Sequence, residues 1–183
     1  MIELYDLIDW LKRNLSITEE IETIIIVRDK DNKNEFGGFT KVIFYSNGKE
    51  IIRVTLFLDH DTTLPLLHEI CIHEFIHVSQ IIRGCLDTTT DSTNTWRGKD
   101  YSEYSYKMLP WELEAHRYSK ELLDLYNKGE DLSPEKQEEM IKYADKIYKK
   151  IEYMQEQHRI TQSKLPEGIN LKPFMKGYNN GKQ

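Results

Sequence analysis

The sequence predicts an α+β domain: a small antiparallel or mixed sheet of about three strands, then a helix carrying the chemistry, a glutamate-bearing helix and a C-terminal packing helix. Three observations predict it. Runs with strand character fall between Glu22 and Leu58. The stretch from Leu66 to Ile82 is strongly apolar and contains no glycine or proline, which reads as one buried helix. Two later segments, opened by Pro110 and Pro134, repeat apolar residues at helical spacing.

In chain order, Ile2 to Leu15 places apolar residues at 4, 7, 8 and 11, an amphipathic helix suited to packing on a sheet. Glu22 to Asp29 contains Thr23-Ile24-Ile25-Ile26-Val27, a β-branched run expected as a buried strand. Phe39 to Ser46, the dipeptide Asn47-Gly48 and the run Glu50 to Leu58 read as a hairpin, because Asn-Gly supplies the positive φ angles of a tight turn. Asp59-His60-Asp61 reads as a turn rather than a metal cluster, with Thr62 or Thr63 as helix cap and Pro65 in the first turn. Gly84 is positioned to end the helix.

Inside that helix stands His73-Glu74-Phe75-Ile76-His77. Residues four apart lie one turn apart on the same helix face, so His73 and His77 can grip one tetrahedral metal ion. Glu74 then sits where it can take a proton from a water as general base. Two histidines and a glutamate in a buried helix need partners, since unpaired buried polar groups are costly. His68-Glu69 cannot repeat the pattern, because Ile72 stands four residues after His68.

Leu86 to Met108 reads as a long polar connection, threonine-rich first and tyrosine-rich later. The tyrosines are expected chiefly as packing residues. Pro110 opens the next helix, with Trp111, Ala115, Tyr118, Leu122 and Leu125 as its apolar stripe. Glu114 falls about 60° from Trp111 and Glu112 about 100° the other way, so Glu114 is the expected third ligand and Glu112 the runner-up. Ser133-Pro134 begins a last long helix reaching to about Gln157.

The chain has 183 residues, 39% hydrophobic and 31% charged, with a formal net charge of -6. That length suits one domain over residues 1–159 with an irregular tail at 160–183. The negative charge argues against general nucleic-acid binding. Two cysteines, Cys71 and Cys85, make no disulfide framework and are expected reduced, Cys71 in the core; Cys85 is a weaker ligand candidate than the glutamates. No stretch reaches membrane-span length and the acidic start lacks a signal peptide's features, so a cytoplasmic protein is expected.

His73-Glu74-Phe75-Ile76-His77, together with Pro110-Trp111-Glu112-Leu113-Glu114-Ala115, resembles the gluzincin branch of the zincin metallopeptidases. The similarity extends to the minigluzincins and to the metallopeptidase domain of ImmA/IrrE-type regulators, and covers roughly residues 20–127. The family's third ligand often precedes an alanine, as Glu114 does. The resemblance implies a zincin-like fold, a zinc ion on His73, His77 and Glu114, Glu74 as general base, and residues 51–58 as the strand lining the cleft, open to an extended peptide. It also implies an oxyanion stabiliser, for which His116, Tyr101, Tyr104 and Tyr106 are the candidates. The expectation is therefore zinc-dependent peptide-bond hydrolysis with a narrow or gated range of peptide or protein substrates. A non-catalytic zincin-fold binding protein and a partner-binding regulator are the alternatives.

Overall fold

The computed structural model describes residues 2–28, 37–59, 61–89, 94–101, 104 and 106–164. Helix α1 (Ile2–Asn14) leads into strand β1 (Ile21–Val27), then β2 (Gly38–Phe44) and β3 (Glu50–Leu58). Helix α2 (Leu64–Ile82) follows, then three two-residue strands, β4 (Leu86–Asp87), β5 (Thr95–Trp96) and β6 (Lys99–Asp100). A 3-10 turn at Tyr106–Met108 leads into α3 (Pro110–Lys128) and α4 (Pro134–Ser163). The architecture is α+β, with two small sheets and several helices.

The first sheet is mixed, in the order β1-β3-β2. Strands β2 and β3 form the expected hairpin, with Gly48 at φ 80° in its turn, a region open to glycine at little cost. Strand β1 runs parallel to β3, matching Ile25 to Leu56. Strand β3 is therefore central and paired on both sides. This corrects the expectation that residues 51–58 offer an edge to a peptide: among the described residues the outer strand of the hairpin is β2.

Helix α2 runs through the core. Thr63 caps it by accepting from the Leu66 N–H, and Pro65 fills the first turn, where a missing N–H costs nothing. Cys71, Ile72, Phe75, Ile76 and Val78 are all fully buried, against Ile52, Val54 and Leu56 of the sheet, Leu7 and Leu11 of α1, and Ala115, Tyr118 and Leu122 of α3. Each large apolar side chain contributes about 1.5–3 kcal/mol on burial, so this helix is fixed from several sides. Both cysteines are free, and Cys71 is a core residue as expected.

The described residues of the connection after α2 include core residues. Leu86, Trp96 and Tyr101 join Cys85, Trp111 and Ile151 in a second buried cluster, whose strands β4-β5-β6 pair antiparallel. Helix α4 runs to Ser163, past the expected end near Gln157 and past the proposed boundary at 159. The candidate turn residue His60 and the tail after 164 lie outside the described residues.

Candidate metal centre

The site forms where α2 crosses α3. Helix α2 presents His73, Glu74 and His77, and the first turns of α3 present Glu112 and His116, which are also four residues apart and share a face. His73 Nε2 lies 3.1 Å from Glu112 Oε2, and His77 Nε2 lies 3.4 Å from Glu112 Oε1. The two Nε2 atoms of His73 and His77 are 3.1 Å apart, and His116 Nε2 is 3.9 Å from Glu112 Oε2. One donor atom each from His73, Glu112 and His116 all fall within 4.8 Å of one another. This His/Glu/His cluster, with Glu112 buried, His73 half-buried and His116 exposed, can coordinate a metal ion.

The donors are of the kinds zinc takes, imidazole nitrogen and carboxylate oxygen. The His73 and His77 Nε2 atoms, 3.1 Å apart, face different oxygens of Glu112, at 3.1 Å and 3.4 Å. His116 is the outlying donor, with a side chain 60% exposed.

Electrostatics favour a charged Glu112 carboxylate and, without an ion, a charged His77, which must give up a proton to ligate a metal. Burial alone would raise the Glu112 carboxyl, but hydrogen bonds to His73 and His77 outweigh it and keep Glu112 well below the usual carboxylate range. Burial disfavours a charged His77, yet its hydrogen bond to Glu112 and the charge of Glu74 bring it up to about 9. His116 is lowered, first by burial and then by His73. Tyr106 is hydrogen-bonded to Glu112 and raised, first by burial.

Glu74 faces the sheet from the same helix and is 4% exposed. Thr40 Oγ1 of β2 lies 2.8 Å from Glu74 Oε2 and donates to it. Burial, ahead of the opposing pull of His77 and His73, raises the Glu74 carboxyl. A Cβ on Gly38 would stand 2.9 Å from Glu74 Cγ and 2.9 Å from the Thr55 carbonyl oxygen, so the absence of a side chain at 38 lets the carboxylate lie against β2. Neither Thr40 nor Gly38 was singled out from sequence. A glycine at the start of a strand, facing a buried glutamate, was the available signal.

Glu114 is fully buried, as the apolar stripe of its helix implied, but it does not meet the histidines at their Nε2 atoms. Its Oε1 pairs with Arg83 Nη2 at 2.5 Å and its Oε2 accepts from Gln80 Nε2 at 3.1 Å. Glu112 takes the place expected for it. Of the four oxyanion candidates, His116 and Tyr106 lie at the cluster, their rings 6.1 Å apart. Tyr101 is fully buried against Trp111 in the second core, and the half-buried Tyr104 packs against it with its ring tilted to that of Tyr101.

No family model, curated protein or solved structure matches the chain. The resemblance to gluzincins is withdrawn on the geometry of the site. The cluster that assembles, His73, Glu112 and His116, is spread over two helices and is not the consecutive H-E-x-x-H set with Glu114 on which that resemblance rested. Among the described residues, no helix is long and apolar enough to cross a membrane.

Proposed function

We propose that this chain is a zinc-dependent hydrolase acting on peptide bonds of an extended polypeptide. His73, His77 and Glu112 would hold the ion, and the exposed His116 is a further donor beside Glu112. A zinc ion there supplies Lewis-acid polarisation of a carbonyl oxygen. Glu74 takes a proton from the attacking water and delivers it to the leaving amine, with Thr40 fixing the carboxylate. Its burial favours the proton-carrying form that the second transfer needs. Tyr106 and His116, both beside Glu112, are the candidate donors to a developing negative charge.

The observation that carries the reading is the position of Glu74: a buried carboxylate, clamped by Thr40, one residue from a metal donor. An ion needed only for structure has no use for such a base. A polypeptide substrate is supported by β2. A groove of about 500 Å3 runs along Phe39 to Phe44, bounded by Thr88, Thr89 and Asn94. The Val42 N–H points into it, taken by Thr88 Oγ1 at 2.9 Å, and strand alternation turns the N–H groups of Gly38 and Thr40 to the same side. An added strand there would lie along β2, whose Thr40 bonds Glu74.

The test is metal analysis of the purified protein and of Glu74→Gln, together with digestion of a fluorogenic peptide library. About one zinc per chain in both proteins, with cleavage by the unaltered chain only, is the expected result. Zinc in both with cleavage by neither would leave a structural metal and end the hydrolase reading.

A further inference from the structure

We infer that Gln80 and Glu114 form a relay that fixes the His77 ring for metal binding, making both positioning residues; this rests on His77 being a ligand. Gln80 is fully buried one turn beyond His77. Its Nε2 lies 3.0 Å from the Trp111 carbonyl oxygen and 3.1 Å from Glu114 Oε2, and its Oε1 lies 2.8 Å from His77 Nδ1. The two acceptors decide which way the amide faces. Only an NH2 group can serve both the carbonyl and the carboxylate, so the Gln80 oxygen must face the imidazole.

An amide oxygen accepts and cannot donate. His77 therefore carries a proton on Nδ1, and Nε2, the atom beside His73 and Glu112, is the one left to ligate an ion. The ring plane is fixed by the same bond. Glu114 in turn is held by Arg83 at the end of α2. The order Arg83, Glu114, Gln80, His77 runs from the far end of α2 through α3 and back to the site. A metal-ligating histidine is commonly oriented by a partner on its other nitrogen, and loss of such a partner weakens metal binding by about 10- to 100-fold. The carboxylate expected from sequence to be a ligand thus acts one bond further out, through Gln80.

The experiment is zinc titration against a chromophoric chelator, with cobalt(II) absorption as a second readout, on the full chain. Four proteins are compared: the unaltered chain, His77→Ala, Gln80→Leu, and the exchange Gln80→Glu with Glu114→Gln. In the exchange, the carboxylate at 80 accepts from His77 and from the amide at 114, whose oxygen accepts from Arg83, so the bonds joining these four residues and their net charge persist, while the bond to the Trp111 carbonyl is lost. Gln80→Leu is expected to weaken zinc binding about 10- to 100-fold and to shift the cobalt bands, and the exchange to recover most of the loss. If His77→Ala weakens binding and folded Gln80→Leu does not, the relay has no positioning role. Unchanged binding in His77→Ala removes the ligand assignment, and the relay with it. Should Gln80→Leu fail to fold, the exchange decides: near-normal zinc affinity supports the relay, and affinity as poor as that of His77→Ala overturns it.

Discussion

Replacing Arg83 by methionine isolates the contribution of the ion pair behind the site. Glu114 is fully buried, and its side chain is 1% exposed against 19% for Arg83. Removing one partner of a buried pair leaves an uncompensated charge, at about 3–5 kcal/mol. The lower end applies, because Gln80 still donates to Glu114 and Arg83 is partly solvated. In a chain of this size, 1 kcal/mol moves the melting temperature by about 2–4 °C, so roughly 6–12 °C is expected for the metal-free protein. Burial already pushes the Glu114 carboxyl up, and Arg83 opposes it; without Arg83 it rises further. A carboxyl whose folded value lies above its unfolded value costs stability as pH rises through that interval. The deficit of Arg83→Met should therefore shrink on acidification from neutral toward pH 5, and adding Glu114→Gln should remove most of it. Melting followed by circular dichroism across pH measures this. A deficit under about 2 °C at neutral pH, or one that Glu114→Gln fails to relieve, would refute the argument that Glu114 is a charge held by Arg83.

Three further outcomes are expected. Glu112→Gln should weaken zinc binding by more than the roughly 100-fold that bounds the effect of supporting residues, whereas Glu114→Gln should stay within that bound; competition titration ranks them. Gly38→Ala should lower peptide turnover on the order of 100-fold, the scale attached to a misplacement of about 1 Å, because the new methyl meets Glu74 Cγ and the Thr55 carbonyl; zinc content should not change. Cys71, fully buried with its thiol pushed up by burial to about 12, should resist alkylation in the native protein and react only when unfolded, as mass spectrometry of labelled peptides would show.

The local parts of this structure were legible because short-range rules govern them. Thr63, Pro65 and the unbroken apolar run define α2, and Asn47-Gly48 defines the hairpin. Long-range parts were not. Nothing in Ile21–Val27 says that the strand lies parallel to β3, since that pairing depends on residues about thirty positions away. Strands β4 to β6 have two residues each, too few to display an alternation. The error over the glutamates has the same origin. Helical angle correctly gave the depth of Glu114, but depth does not name a partner, and the cation that answers it is Arg83, 31 positions back. The readable clue was the spacing of Glu112 and His116, a second pair four residues apart that repeats the His73 and His77 spacing on the facing helix.

The second aromatic core bears on the energetics of ion uptake. Trp96 and Tyr101 anchor the segment between the two site-bearing helices, and Trp111 of the same cluster stands immediately before Glu112. The conformational entropy of closing that segment is thus spent when the chain folds and not when an ion arrives. Donors assembled in advance leave more of the coordination energy available as affinity, in the way preorganisation improves any ligand's grip. An ion favouring the folded chain also draws the folding equilibrium with it, by about 2.7 kcal/mol at a hundredfold excess over its dissociation constant. Stability of the chain becomes a gauge of the free metal around it.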